Sequence, residues 1–126
     1  MKVLIYEDLD VYKIAFKLQQ DIFELSKTFP KEEKYSLTDQ IRRCSRSIGA
    51  NIAEAWQKRR YKAHFSSKLT DSDSEQAETQ HWLRTAFCCK YIDEKTFNVL
   101  LDDCKHIGGM LGKMINDADH WCCRKR

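Results

Sequence analysis

Apolar residues recur along this chain at spacings of three and four, in four separate runs. In the first, Val11, Ala15, Leu18, Ile22, Leu25 and Phe29 draw one stripe while Lys13, Lys17, Gln20, Asp21 and Glu24 fall opposite, the pattern of an amphipathic helix. Tyr12, Phe16 and Phe23 form a second apolar line beside it. The apolar arc is therefore wider than one core contact needs, and these three residues are expected to meet another subunit. Phe29-Pro30 ends the helix, because a residue before proline avoids the helical region, and the polar residues 31–34 connect onward.

A second helix is expected to start near Ser36, whose hydroxyl suits a helix cap, with Asp39 in the first turn favoured by the helix dipole. Leu37, Ile41, Cys44, Ile48, Ile52 and Ala55 form its apolar stripe, and Gly49 in its middle costs about 1 kcal/mol relative to alanine. Close approach of a neighbouring backbone would account for that glycine. The third run, about residues 63–90, holds Phe65, Leu69, Ser72, Thr79, Leu83 and Ala86 at helical intervals. Its middle, residues 70–80, is almost wholly polar, and Asp71-Ser72-Asp73-Ser74 alone would suit a loop because such side chains compete for backbone hydrogen bonds; the periodicity favours helix. After Tyr91-Ile92-Asp93 the fourth run carries Phe97, Leu100, Leu101, Cys104, Ile107, Leu111, Ile115 and Ala118, and Gly108 and Gly109 interrupt it without ending it. Four helices with short connectors predict an all-α, antiparallel up-down-up-down four-helix bundle. Residues 1–126 are read as one domain, with a frayed basic tail from about residue 119.

Composition agrees: one proline and four glycines in 126 residues suit long helices. The apolar residues 3–6 run straight into Glu7, Asp8 and Asp10, so no signal peptide is expected. No stretch reaches the roughly 18 to 20 apolar residues that span a bilayer. Six cysteines, at 44, 88, 89, 104, 122 and 123, then suit a reducing cytoplasm and the role of small buried hydrophobes. Zinc spacing is absent, although Cys104 and His106, and His120 and Cys122, lie two residues apart.

Charge is more informative than the formal net of +3. Residues 42–68 hold eight basic residues, Arg42, Arg43, Arg46, Lys58, Arg59, Arg60, Lys62 and Lys68, against the single acid Glu54; the remainder carries fourteen basic and eighteen acidic residues. A positive face on the second helix and the turn after it points to an anionic partner, nucleic acid above all, with Tyr61 or Trp56 available for stacking. The competing reading is a solvated face whose arginines pair with Asp73, Glu75 or Glu78. Ser47, Asn51, Glu54, Glu75 and Glu78 are expected to form a polar network that fixes register rather than a catalytic cluster.

Glu78-x-x-His81 raises a di-metal carboxylate enzyme, which needs such a unit on two helices. Its only companions are Asp103-x-x-His106 and Asp117-x-x-His120. On a helical wheel His106 falls nearly opposite the apolar face and His81 points away from the third helix's stripe, so the ligands do not converge. Neither a nucleophile elbow nor a glycine-rich phosphate loop occurs. The expectation is a non-enzymatic protein with no cofactor and no metal.

The segments Phe29-Pro30-Lys31-Glu32-Glu33-Lys34-Tyr35, Leu37-Thr38-Asp39-Gln40-Ile41-Arg42-Arg43, Ser47-Ile48-Gly49-Ala50-Asn51-Ile52-Ala53-Glu54, Glu78-Thr79-Gln80 and Tyr91-Ile92 carry a resemblance. The chain resembles the four-helix-bundle proteins encoded in intervening sequences of bacterial large-subunit ribosomal RNA genes, from Tyr6 to about Ala118. The resemblance implies a ring-like homopentamer with a basic surface, and kinship with accessory proteins of diversity-generating retroelements, which bind nucleic acid and assist a reverse transcriptase. Gly49 stands where the family often has proline, and Ala55 where it often has glycine, so the bend of the second helix is expected to differ. The rival to nucleic-acid binding is a protein-interaction scaffold or reverse-transcriptase accessory subunit, in which the same arginines pair across a protein interface.

Overall fold

The structure is a computed structural model and describes residues 3–122. Its long helices are α1 (Asp10–Ser26), α2 (Asp39–Gln57), α3 (Lys62–Cys88) and α4 (Glu94–Asn116), followed by a one-turn α5 (Ala118–Trp121). Of the tail expected from residue 119, the first three residues thus belong to a helix; residues 123–126, with Cys123 and the basic Arg124-Lys125-Arg126, lie outside the described residues.

Sequential helices pack side by side, and α1 and α4 close the ring. Contacts between α2 and α3 run in opposite sequence directions, from Arg43 with Glu78 through Ile48 with Ser72 to Glu54 with Lys68. Ser26 meets Arg42 while Tyr12 meets Gly49, so α1 and α2 are antiparallel too. The expected up-down-up-down bundle is what forms.

The four apolar stripes meet in one core, with Leu18, Ile22, Ile41, Ile48, Ile52, Phe65, Leu69, Leu83, Ile107 and Leu111 fully buried. Each such side chain contributes roughly 1.5–3 kcal/mol. The polar middle of α3 is helical because its inward positions continue the stripe with small polar groups: Ser72, Gln76 and Thr79 are all buried. Each has a partner. The Ser72 hydroxyl donates to the Ile48 carbonyl at 2.8 Å, Thr79 donates to the Glu75 carbonyl at 2.8 Å, and Gln76 donates to Asp73 at 2.9 Å. A buried hydroxyl without a partner would cost about 1–3 kcal/mol; with one, it lets the helices approach closely.

The helix ends depart from expectation in three places. α1 stops at Ser26, three residues before Phe29, where the hydroxyls of Ser26 and Thr28 donate to the carbonyls of Phe23 and Leu25; Phe29 turns inward against Tyr91. Ser36 makes no cap, because winding continues back through a 3-10 turn (Lys31–Glu33) and a π turn (Lys34–Thr38) into α2. The side chain that does cap is Asp93, which accepts from the Thr96 amide at 2.7 Å at the start of α4. Beyond α3, Lys90 adopts φ 65° while its amide reaches Phe87 and that of Tyr91 reaches Ala86. This is a Schellman ending with lysine where glycine is usual.

Gly49 is not matched by a neighbouring backbone. A Cβ there would touch the Tyr12 ring at 3.4 Å and the Gln19 side chain at 3.9 Å, and α2 runs unbroken past it. Gly108 has the stronger reason: a Cβ would lie 2.9 Å from the Gln76 amide nitrogen, on which the buried polar seam of α3 depends.

Candidate nucleic-acid interface

Because α2 turns Ile41, Cys44, Ser45, Ile48, Ile52 and Ala55 into the core, Arg42, Arg43, Arg46, Ser47 and Ala50 are left outward, where with Asp39 they line a shallow groove of about 470 Å³. The three arginines behave differently. Arg42 donates from Nε to the Ser26 hydroxyl at 2.7 Å and lies 4.8 Å from the centre of the Phe23 ring. Arg46 lies 5.2 Å and the Lys27 ammonium 4.8 Å from the same ring. Phe23 therefore meets three cations, each drawn to its negative face, beside the basic groove.

Arg43 is tied to acids. Its guanidinium is 3.2 Å from Glu78 and 3.9 Å from Glu75, and Glu78 also accepts from the Trp82 indole at 3.1 Å. Burial raises the Glu75 carboxyl above its usual range, opposed by Arg43 and reinforced by Glu78. Its Oε1 is buried with no hydrogen-bond partner among the described residues. Ser47 donates to the Arg43 carbonyl at 2.9 Å. Glu54 stands apart, bonded to Lys68 at 2.9 Å, and Asn51 makes no side-chain hydrogen bond among the described residues. The expected five-residue network is thus two local groups. Trp82 and Lys68 were missed, though each lies within helical reach of an acid, Trp82 four residues from Glu78 and Lys68 three from Asp71.

The remaining basic residues sit at the far end of α2, about 18 Å along the axis from Arg46 to Lys58 at 1.5 Å per residue. The face is two patches and not one stripe. Lys58 and Arg60 are exposed and in no ion pair among the described residues. Arg59 lies 3.5 Å from the centre of the Trp56 ring and donates to the Trp56 carbonyl at 2.8 Å. Trp56 is only 4% exposed, with Trp121 edge-on at 6.0 Å, so it has no free face for stacking. Lys62 pairs with Asp119 at 2.8 Å, and that bond raises its ammonium above the usual range. The first turn of α3 at this corner holds no acidic residue, leaving the positive end of the helix dipole uncompensated.

On α1, Phe16 is 46% exposed and Tyr12 stacks on it at 6.1 Å. His81 and His106 are exposed, and among the described residues no three His, Cys, Asp or Glu side chains gather as a metal site requires. Cys44 and Cys104 are buried, and burial pushes their thiols up to about 11 and about 12; Cys88 and Cys89, expected as buried hydrophobes, are exposed at the end of α3. Among the described residues no helix is long and apolar enough to cross a membrane.

A small all-α bundle with its basic side chains collected on one helix and the following turn is the class these features define. The chain belongs to the 23S rRNA-intervening sequence protein family, whose model matches residues 7–113. It is also similar to a crystal structure of a protein of unknown function from the S23 ribosomal protein family of Bacteroides thetaiotaomicron, at 30% identity and a TM-score of 0.76, covering 84% of this chain and 95% of that one. No curated protein matches the chain.

Proposed function

We propose that the protein is a non-enzymatic, cytoplasmic, oligomeric nucleic-acid-binding protein that takes phosphates with the basic residues of α2 and the turn after it. One observation carries the reading: of the basic residues concentrated in 42–62, Arg42, Arg46, Lys58, Arg59 and Arg60 have no carboxylate partner among the described residues. A solvated face would neutralise them locally. Among the described residues the acids of α3 form ion pairs with Arg43 and Lys68 only, so the excess charge stays available to an anionic polymer, whose condensed counterions each contact releases.

Filter binding of RNA and DNA across a salt series tests this reading. Affinity is expected to fall steeply with salt, and replacing Arg42, Arg43 and Arg46 with alanine is expected to weaken it. Absent or salt-independent binding, or an unaffected variant, contradicts it.

The oligomer is a homopentamer in this reading, with Tyr12, Phe16 and Phe23 in the subunit contact; Phe16 supports it as a large apolar side chain left outward on α1. Light scattering reads the assembly, and a monomer is the contrary result. A second reading, an interaction scaffold or accessory subunit of a reverse transcriptase, draws support from Arg43, whose pairing with Glu75 and Glu78 shows these side chains already suited to carboxylate partners. There, arginine replacement would break assembly or partner capture before nucleic-acid binding.

A further inference from the structure

We infer that the corner between α2 and α3 is a site for unpaired nucleotides, in which the Tyr61 ring stacks on a base while Lys58 and Arg60 hold the adjoining phosphates. This rests on the nucleic-acid reading above and assigns it a substrate class, single-stranded nucleic acid, at one of the two basic patches.

Among the described residues three large aromatic side chains, Phe16, Tyr35 and Tyr61, are exposed, and their surroundings sort them. Tyr35 is 75% exposed with the Lys34 ammonium 5.3 Å from its centre, but Glu32, Glu33 and Asp39 offset Lys31 and Lys34 in this turn, so no net positive charge remains there for a phosphate backbone. Phe16 is flanked by Tyr12 and by a Lys17 that Asp21 neutralises at 2.8 Å, which leaves an apolar surface without attraction for an anion. Tyr61 is 53% exposed and sits within Lys58-Arg59-Arg60-Tyr61-Lys62, where no residue is acidic. Of these three rings, Tyr61 is the one set in a basic run without acids, two of whose cations, Lys58 and Arg60, are in no ion pair among the described residues.

The geometry at Tyr61 is fixed from below. Its amide donates to the Lys58 carbonyl at 3.0 Å, and its own carbonyl accepts from the Phe65 amide at 3.0 Å as α3 begins. His64 leans on one side of the ring, centroids 5.4 Å apart, and the Arg60 guanidinium lies 5.9 Å from its centre. The ring is thus oriented at the tip of a hydrogen-bonded turn with part of its surface open. Trp56, the other aromatic of this segment, is covered by Arg59 and Trp121, so stacking falls to Tyr61 alone. Bases in a duplex are already stacked on one another and have no face to offer. A ring flanked by cations therefore selects unpaired strands, with little regard for sequence because every base has a π-face.

Fluorescence anisotropy with a labelled oligouridine of about twelve nucleotides, within the range of single-strand sites, and a duplex of equal length tests the inference on the full chain. An oligothymidine of the same length distinguishes RNA from DNA strands; the inference holds for binding of either. Tyr61→Ala is expected to weaken single-strand binding about fivefold or more while leaving duplex binding within about twofold, and Tyr61→Phe to keep wild-type affinity. Arg60→Ala is expected to weaken both and to flatten the single-strand salt slope by about 0.7. A 2-aminopurine placed in the strand is expected to lose fluorescence on binding to the unaltered protein, a stacking signal that needs no variant.

Wild-type affinity in Tyr61→Ala, an equal loss on duplex and single strand, or unquenched 2-aminopurine overturns the site while leaving the phosphate-binding reading in place. Failure of the unaltered protein to bind either nucleic acid overturns both.

Discussion

At the start of α2, the side chains of Arg42 and Arg46 lie against Phe23, and Ser26 holds Arg42 by a 2.7 Å bond. At its end, Lys58 and Arg60 project from a turn beside a half-exposed tyrosine. Both patches come from one basic segment of the sequence, yet the first presents guanidinium groups held by a ring and a hydroxyl, and the second presents cations without an ion-pair partner among the described residues around a stacking surface. Guanidinium groups already held lose less side-chain entropy when a phosphate arrives, which suits a backbone of regular geometry. The corner with the exposed ring suits a strand without one.

The largest expected effect separates the two ends by stability. Phe23→Ala removes the ring beneath three cations and is expected to cost about 2 kcal/mol, less than a fully buried phenylalanine because the ring is half-buried. Tyr61→Ala is expected to stay within about 0.5 kcal/mol. Urea unfolding of both variants reads the difference, and equal losses would erase the distinction between the two patches.

Next comes Lys90→Gly, at the same end of the bundle as Phe23. Lysine in the left-handed region costs about 1 kcal/mol that glycine avoids, so the midpoint is expected to rise by that equivalent with nucleic-acid affinity unchanged. A fall in affinity would extend the first patch to the α3–α4 turn.

Glu78→Gln tests whether acids on α3 keep Arg43 from the ligand. A neutral amide still accepts from Trp82 but releases the guanidinium, so duplex binding is expected to tighten a few-fold, with a salt slope steeper by about 0.9. No change would mean that Arg43 faces away from the bound polymer.

The smallest effect concerns pH. Burial raises the Glu75 carboxyl in the folded protein, so the folded state holds that proton more tightly than the unfolded chain. Stability from this group is therefore present at low pH and declines as pH rises from the ordinary carboxylate range through the raised value. Glu75→Gln removes the dependence. Relative to the parent, the variant is expected to gain stability as pH rises above the ordinary carboxylate range; a parallel pair of pH profiles would contradict the burial.

The bundle was legible because every stripe kept its period, even where α3 turned polar. Ser72 and Thr79 held core positions by spacing alone, and their hydroxyls then found partners on α2 or within α3. Less was legible at the surface. A count of charges places Arg43 with Arg42 and Arg46, but whether a guanidinium meets a carboxylate or an aromatic ring depends on the register of α1 and α3 against α2. The same holds for Phe23, which shares an apolar line with Tyr12 and Phe16 on the wheel, yet falls beneath the arginines once α1 and α2 dock. Trp56 shows the limit for rings: Arg59 and Trp121 cover it, and Trp121 lies beyond Ala118, the last position that the apolar period of the fourth run marks.

The central claim is that unneutralised charge on α2, and not basic composition as such, binds nucleic acid. Salt-dependent duplex binding from about 50 to about 200 mM salt, compared between Arg42→Ala/Arg46→Ala and Arg43→Ala, tests it most directly. The account predicts that the double variant flattens the slope of log affinity against log salt by about 1.8, whereas Arg43→Ala leaves it nearly unchanged. Equal slopes for the double variant and the parent, or an Arg43→Ala effect as large as half that of the pair, would contradict it.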